Sequence, residues 1–215
     1  PPAPQSPSED IAETEAERRQ LTVMFCDLAD STALSEKLDP EDLRDVISSY
    51  QNTCTGLIKK YDGYIARFMG DGILIYFGYP VASEDAAERA VRSGLEIIAA
   101  IQEIEPAENY KLQVRVGIAT GLVVAGDIIG EGAAEEHAVL GMTPNLAARL
   151  QSIAEPNTLV ISNNTRELTG GFFDYQDVGK HELKGISELE QAWQVIGEKE
   201  TSGRFEAASE KGITP

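Results

Sequence analysis

The stretch YIARFMGDGILIYFGY, residues 64–79, decides the fold because it holds two short apolar runs separated by a glycine-rich link. The runs YIARFM and ILIYFGY have the aromatic and β-branched composition that is typical of strands. The link Gly70-Asp71-Gly72 is short enough to bring the two strands side by side. The stretch therefore predicts a β-hairpin that carries Asp71 at its tip.

Toward the N-terminus, the run LTVMFCDL, residues 21–28, is a further strand candidate. Asp39-Pro40-Glu41 then has the pattern of a helix N-cap followed by proline at the first helical position. Apolar residues recur at helical spacing from there to about Tyr61, and Asp62-Gly63 supplies a turn. These patterns predict a strand, a long helix and then the hairpin.

Toward the C-terminus, Ser83 is the predicted N-cap of a helix that ends near Glu105-Pro106. A second hairpin is predicted from LQVRVGIAT and LVVAGDI, and a Gly- and Glu-rich loop over residues 130–136 follows it. Thr143-Pro144 opens another helix, and the last strand signals are TLVIS, FFDYQDV and QAWQVI. The order predicts an α+β sandwich in which helices cover a mostly antiparallel sheet.

Composition predicts one globular domain with polar ends. Residues 1–18 are Pro-rich and acidic and 198–215 are polar, so we interpret them as a disordered leader and a linker around a core of 19–197. The apolar runs are too short to cross a bilayer, and the N-terminus lacks the pattern of a secretory signal. We therefore expect a cytoplasmic protein without membrane association, whose two cysteines, Cys26 and Cys54, are buried free thiols.

The formal net charge of −18 argues against a nucleic-acid partner, because phosphate backbones are bound by clustered Lys and Arg. The same charge repels free nucleotides at long range. A nucleotide site in this chain must therefore concentrate its own cations, from metal ions, arginine or lysine.

Two aspartates are the leading candidates for a metal site. Asp27 ends a predicted strand and Asp71 lies at the hairpin tip, so adjacent inner strands would bring both carboxylates together. Carboxylates that share a small site raise each other's pKa, and a divalent cation is the natural way to keep both ionised. Taken alone, an aspartate at a strand end or in a Gly-Asp-Gly turn is more often simply a turn residue.

The segment after Asp27, LADST, leads toward a helix start, where backbone N–H groups and hydroxyls can receive phosphate oxygens. Its candidate substrate-binding residues are Leu28, Ala29, Asp30, Ser31 and Thr32. The alternative is that Ser31 and Thr32 only cap a helix. The chain has no Gly-rich phosphate loop with its lysine, which disfavours ordinary P-loop chemistry.

Asn145 and Arg149 are four residues apart in the helix that Thr143-Pro144 opens, so both side chains share one helix face. Arginine there can stabilise the charge of a phosphate during transfer, and an asparagine amide can hold a sugar oxygen. The alternative is a salt bridge for Arg149 and a capping role for Asn145.

Four motifs together resemble, in order and spacing, those of the class III nucleotidyl cyclase catalytic domain. They are FCDLADST, ARFMGDGILIYFGYP, RVGIATGLVVAGDI and GMTPNLAARLQ. The chain looks most similar to bacterial soluble adenylyl cyclases of class IIIb, in which this domain often precedes an ATPase module. The resemblance implies a fold related to polymerase palms and a head-to-tail homodimer with active sites at its interface.

By motif position, the resemblance implies that Asp27 and Asp71 hold two Mg²⁺ or Mn²⁺ ions per site, assisted by the Leu28 carbonyl. Asn145 and Arg149 would come from the partner protomer. Lys184 resembles the family's phosphate-binding lysine, with a plain surface lysine as the alternative. The implied reaction is attack of the ribose 3′-hydroxyl of ATP on the α-phosphorus.

The residues that would read the base depart from the family pattern. Arg67 stands where adenylyl cyclases carry lysine, and Ala138 stands where they carry aspartate or threonine. Arginine donates to a purine N1 or O6 but cannot accept from an N6 amino group. Guanylyl cyclases carry a Glu and a Cys at these two positions, and that pattern is also absent here. Leu122 likewise replaces an arginine that some relatives use for the triphosphate.

Three functions stay open at this point. An active homodimeric adenylyl cyclase is indicated by the complete set of Asp27, Asp71, Asn145 and Arg149. Guanylyl cyclase activity is the second, because the donors of Arg67 could meet a guanine O6. The third is a non-catalytic nucleotide-sensing or dimerisation domain that regulates an attached module.

Overall fold

The computed structural model describes residues 17–104, 111–128, 136–182 and 189–199. These residues form one sheet of eight strands with helices on both faces. The elements in chain order are β1 Glu17–Leu28, α1 Ser31–Lys37, α2 Pro40–Lys60, β2 Tyr64–Met69, β3 Gly72–Phe77, α3 Ala86–Ile101, β4 Val114–Ile128, β5 Glu136–Leu140, α4 Met142–Ile153, β6 Thr158–Ser162, α5 Asn163–Thr169, β7 Phe173–His181 and β8 Glu190–Glu198.

The sheet order is β2-β3-β1-β4-β6-β8-β7, and β5 pairs with β4 beside this path. Only the contact between β4 and β6 is parallel among the described strand pairs. This confirms the predicted α+β class with a mostly antiparallel sheet. Most of the expected leader and linker lies outside the described residues, and the described elements begin at Glu17 and end at Glu198.

Two cores lie on opposite faces of the sheet. On one face, α2 and α3 cover alternate residues of the central strands, such as Met24, Cys26 and Ile75. On the other face, α4 covers the intervening positions, which include Val23 and Ala119. Because successive strand residues point to opposite faces, β1 is apolar on both sides and contributes to both cores. Within the described residues, no helix is both long and apolar enough to cross a membrane.

The predicted first hairpin and the long helix are confirmed. β2 and β3 pair in antiparallel fashion around the Gly70-Asp71 turn, where Gly70 adopts the positive φ of 68° that the turn requires. Asp39 caps α2, and its side chain accepts hydrogen bonds from the backbone N–H groups of Glu41 and Asp42.

The predicted second hairpin is wrong. Residues 114–128 form one continuous strand, β4, and its residues 114–125 pair with the whole of β1. Gly121 serves close packing rather than a turn, because a Cβ atom there would lie 2.6 Å from Oγ1 of Thr143 on α4. Glycine therefore lets α4 begin directly against the strand.

Two predicted helix limits also differ from the structure. α3 begins at Ala86 with Asp85 as its N-cap residue, whereas Ser83 lies before the helix and its hydroxyl donates to the Asp85 carboxylate. The helix ends at Ile101, several residues before the expected limit near Glu105-Pro106. The structure also contains α1, whose start the LADST segment predicted, and β5, which periodicity did not reveal because the strand is short.

Candidate active site

The register between β1 and β3 brings Asp27 beside the hairpin tip. Cys26 is opposite Ile73 in this antiparallel pair, so the next residue, Asp27, faces Gly72. A Cβ atom on Gly72 would lie 3.7 Å from Oδ1 of Asp27. The side chains of Asp27 and Asp71 lie close enough to interact directly. The structure thus brings the two predicted carboxylates together.

Asp27 is held in an unusual electrostatic state. Its Oδ1 is buried and has no hydrogen-bond partner among the described residues. Burial, and after it the charge of Asp71, raises the pKa of Asp27 from 3.8 to about 6, while Arg115 acts in the opposite direction. The effect of Arg115 is thus smaller than the combined effect of burial and of the second carboxylate, so Asp27 would be stabilised in its charged form by a further cation.

This raised pKa predicts how stability depends on pH in the metal-free protein. The folded state holds the Asp27 proton more tightly than the unfolded chain, so the associated stabilisation is present below pH 3.8 and is lost as pH rises through about 6. Asp27→Asn removes the charge and should raise the free energy of unfolding at pH 7.5 by roughly 1–2 kcal/mol, after allowance for partial exposure.

The gain should shrink toward zero below about pH 4, where Asp27 is protonated in both states. Urea unfolding of both proteins between pH 4 and 7.5, with a metal chelator present, measures the difference. A gain of equal size at every pH would contradict the assigned electrostatic cause.

A pocket of about 470 Å³ opens beside Asp27. Of the predicted substrate-binding segment, Leu28, Asp30, Ser31 and Thr32 line it. Ala29 does not, because it is buried and its N–H donates to the carbonyl of Gln113. The residue before α1 is Asp30, and no side chain caps this helix. The capping alternative for Ser31 and Thr32 is therefore wrong.

Arg115 is a residue of this pocket that the sequence analysis did not single out. It is paired with Asp27 across β1 and β4 and lines the same pocket. Its Nε is buried and has no hydrogen-bond partner among the described residues. A guanidinium in this position can donate hydrogen bonds to phosphate oxygens. The sequence showed only that Arg115 stands near the start of a predicted strand. The register between β1 and β4 shows that this part of the strand lies beside Asp27.

Asn145 and Arg149 lie on the exposed side of α4, whose other side is buried through Thr143, Ala147 and Leu150. Neither residue lines the Asp27 pocket. Within the described part of the chain, neither side chain makes a hydrogen bond or an ion pair. The N-cap residue of α4 is Gly141, so Asn145 does not cap this helix. The salt-bridge and capping alternatives are therefore not supported. One chain thus presents this pair outward, outside the pocket that Asp27 lines.

Arg67 belongs to a row of side chains that crosses three strands. Arg67 on β2 is paired with Leu74 on β3, which is paired with Phe25 on β1. This row shares a sheet face with Asp27, because Phe25 and Asp27 are two residues apart on one strand. Strand spacing and rise place Arg67 about 12 Å from Asp27, which suits the span between a base and its phosphates. Phe25 and Leu74 are half-buried and Arg67 is exposed.

Two further predicted residues lie wholly or partly outside the described residues. The backbone of Ala138 lies in β5 opposite Gly126, and its side chain is outside the described part of the chain. Lys184 lies outside the described residues. Leu122 is 73% exposed and lies next to the start of α4, where Met142 is 53% exposed.

A metal ion would find oxygen ligands of the right kind at Asp27 and Asp71. Carboxylate and carbonyl oxygens are the ligands that Mg²⁺ and Mn²⁺ prefer. Within the described residues, no cluster of three or more His, Cys, Asp or Glu side chains is arranged to hold a metal. Two carboxylates fill only a few of the coordination positions of a metal ion. Water and phosphate oxygens would fill the others, as is usual where Mg²⁺ is bound together with phosphates.

Comparison with known proteins identifies the family of the chain. The family model for the adenylate and guanylate cyclase catalytic domain matches residues 14–197. Adenylate cyclase 1 of Rhizobium meliloti is 27% identical over 188 residues, which are 84% of this chain and 28% of that protein. The chain thus spans well under two thirds of the length of such curated relatives.

Solved structures of both nucleotide classes share the fold. The adenylyl cyclase CyaB from P. aeruginosa has a TM-score of 0.80 at 30% identity and covers 88% of this chain and 100% of its own. The guanylate cyclase domain of RhGC from Catenaria anguillulae, solved with GTP, has a TM-score of 0.79 at 26% identity, with 86% and 100% covered. The chain belongs to the family of class III adenylate and guanylate cyclase catalytic domains.

Proposed function

We propose that this domain is an adenylyl cyclase that converts ATP to 3′,5′-cyclic AMP and pyrophosphate at sites completed across a homodimer. The observation that carries the proposal is the pairing of Asp27 with Asp71 around a buried oxygen that has no partner among the described residues. This pair borders a pocket that also contains Arg115, Ser31 and Thr32. Carboxylates and groups that can donate hydrogen bonds to phosphate thus lie around one pocket.

Asp27, Asp71 and the Leu28 carbonyl would hold two Mg²⁺ or Mn²⁺ ions. When bound, these ions lower the pKa of the ribose hydroxyl and neutralise the triphosphate. The raised pKa of Asp27, caused by burial and by the charge of Asp71, supports a site for such ions, because a bound cation favours the ionised carboxylate. Arg115, Ser31 and Thr32 would bind the phosphate oxygens from the chain's own side, and Lys184 is proposed as a further phosphate ligand.

In the proposed reaction, a bond forms between the ribose O3′ and the α-phosphorus while the bond from that phosphorus to the bridging oxygen of pyrophosphate breaks. The 3′-hydroxyl proton is released. Arg149 of the second protomer would stabilise the negative charge on the α-phosphoryl group, and Asn145 would orient the ribose. Both side chains are exposed and unengaged within the described residues, so a partner can use them.

The base would lie along the row of Phe25, Leu74 and Arg67, with Ala138 contributed by the second protomer. Phe25 and Leu74 would give the base an apolar surface to pack against, and Arg67, at the end of the row, would offer N–H hydrogen-bond donors. ATP is proposed because of the similarity to bacterial adenylyl cyclases. GTP is the second candidate, favoured by the donors of Arg67 and by the guanylate cyclases among the structural neighbours.

A side-by-side assay tests the substrate. The purified protein is given equimolar ATP and GTP together, first with Mg²⁺ and then with Mn²⁺, and both cyclic nucleotides are measured. We expect ATP to be preferred about tenfold, the worth of roughly one hydrogen bond. This preference assigns the donors of Arg67 to adenine N1, an acceptor that guanine lacks because its N1 carries a proton, so Arg67→Ala should move the ratio toward one. A preference for GTP would establish the second candidate, and formation of neither product would refute cyclase activity.

We also propose a cytoplasmic location and a covalent link to a regulatory or ATPase module in the full-length protein. The link is supported by the length of the curated relatives, of which this chain spans 19% and 28% in two cases. Mass measurement of the protein in its native cell would test it.

A further inference from the structure

Asp71 stands in an open turn that is flanked by glycines. β2 and β3 join through Gly70 and Asp71, because Met69 pairs with Gly72 across the hairpin. A Cβ atom on Gly70 would meet no atom within 4 Å beyond its chain neighbours, and Met69 is 43% exposed. Glycines give a backbone more accessible conformations than other residues do. A contact from another element is therefore needed to keep the Asp71 carboxylate beside Asp27.

Gln51 on α2 makes such a contact. Its side-chain amide nitrogen, Nε2, donates a hydrogen bond of 3.0 Å to the carbonyl oxygen of Gly70. That carbonyl belongs to the peptide unit that leads into Asp71. Because a peptide unit is planar, the direction of the carbonyl also fixes where the N and Cα atoms of Asp71 lie. The bond therefore acts on the backbone from which the Asp71 carboxylate projects.

The preceding residue of α2 makes a similar contact next to Asp27. Tyr50 is fully buried, and its hydroxyl oxygen lies 3.3 Å from Sγ of Cys26, the residue before Asp27 on β1. Cys54 and Ile58, one and two turns further along α2, are also fully buried, so the helix is firmly packed. Two consecutive residues of one packed helix thus contact the residues immediately before the two candidate metal ligands.

We propose that Gln51 is a positioning residue, whose hydrogen bond to Gly70 holds the turn in the conformation in which Asp71 and Asp27 bind metal together. This inference rests on the proposed function, which assigns the metal ions to that pair. Without the bond, the turn would spend part of its time in conformations that do not bind the ion. The measured dissociation constant of the metal would rise in proportion as the competent fraction falls.

Gln51→Met tests this role in the full chain. Methionine keeps the length and the helix propensity of glutamine but has no N–H donor. Gln102→Met is the matched control, because Gln102 is also half-buried and its Nε2 donates to the carbonyl of Ile98 over 3.1 Å. Gln102 stands at the end of α3 and does not line the pocket of Asp27. Thermal melting confirms that both variants fold.

Electron paramagnetic resonance of free Mn²⁺ measures metal binding in the absence of nucleotide. We expect the dissociation constant of Gln51→Met to be about three- to tenfold higher than that of the wild type, the worth of one hydrogen bond. The control should stay within about twofold of the wild type. An unchanged constant in Gln51→Met, or an equal rise in both variants, would overturn the proposal.

The dependence of the reaction rate on Mn²⁺ separates positioning from a general structural role. Bound metal selects the same turn conformation that Gln51 favours, so saturating Mn²⁺ should restore the rate of cyclic nucleotide formation in Gln51→Met. The Mn²⁺ concentration at half of the maximal rate should rise by the same factor as the dissociation constant. A lower maximal rate with an unchanged Mn²⁺ requirement would contradict the positioning role.

The two proposals can fail separately. If the wild type and Gln51→Met bind Mn²⁺ equally well, the role of Gln51 is refuted and the proposed function stands. If the wild type binds no Mn²⁺, the proposed function fails, and the ¹⁵N heteronuclear NOE of the Asp71 amide still tests whether Gln51 holds the turn. A lower NOE in Gln51→Met alone supports that restraint, and equal values in all three proteins refute it.

Discussion

Asp71→Asn is expected to lower the rate of cyclic AMP formation by about three orders of magnitude or more. The change keeps the size of the side chain and removes one of the two charges that would hold the metal ions. Metal stabilisation of the transition state is worth several kcal/mol, and each 1.36 kcal/mol corresponds to a tenfold change in rate. Production of cyclic AMP from ATP and Mn²⁺ at saturating nucleotide measures the effect.

Asp62→Asn is the matched control. Asp62 is also an aspartate in a Gly-containing turn, at the other end of β2, and asparagine tolerates its positive φ of 55°. Its ion pair with Arg89 is exposed on the Asp62 side, so little stability is lost. The control should keep nearly full activity. Similar activity in both variants would show that Asp71 is only a turn residue.

The local elements of the fold were predictable because each has a chemical signal close by in sequence. The Gly70-Asp71-Gly72 link predicted the first hairpin, and Asp39-Pro40 predicted the start of α2. Gly121 misled the prediction of a second hairpin, because a glycine required for close approach to α4 has the same signature as a turn glycine.

The candidate site was predictable only in part, because its parts meet through strand order. Asp27 and Asp71 could be expected to meet if β1 and β3 were neighbours, and the structure confirms that they are. Arg115 could not be chosen from its neighbours in sequence, since its position beside Asp27 depends on the pairing of β1 with β4 over 88 residues of sequence. Long-range pairing leaves no local pattern, and for that reason Arg115 was missed.

A mixture of two inactive variants is expected to recover activity. Asp71→Asn damages the carboxylate half of the proposed site, and Arg149→Ala damages the half that the partner would supply. Arg149 is exposed, does not line the pocket of Asp27 and has no ion pair among the described residues. In a head-to-tail dimer, a mixed pair holds one site in which both changes fall together and one site that is intact.

Equal amounts of the two variants give half mixed dimers if chains exchange freely, and each mixed dimer has one working site of two. The mixture should therefore reach about a quarter of the wild-type rate. Mixing Asp71→Asn with Asp27→Asn is the matched control, because both changes fall in the same half and every site stays damaged. Differently tagged chains that copurify establish that exchange has occurred. If exchange is complete and the first mixture stays inactive, the two halves belong to one chain, and the outward position of Arg149 must have a different purpose.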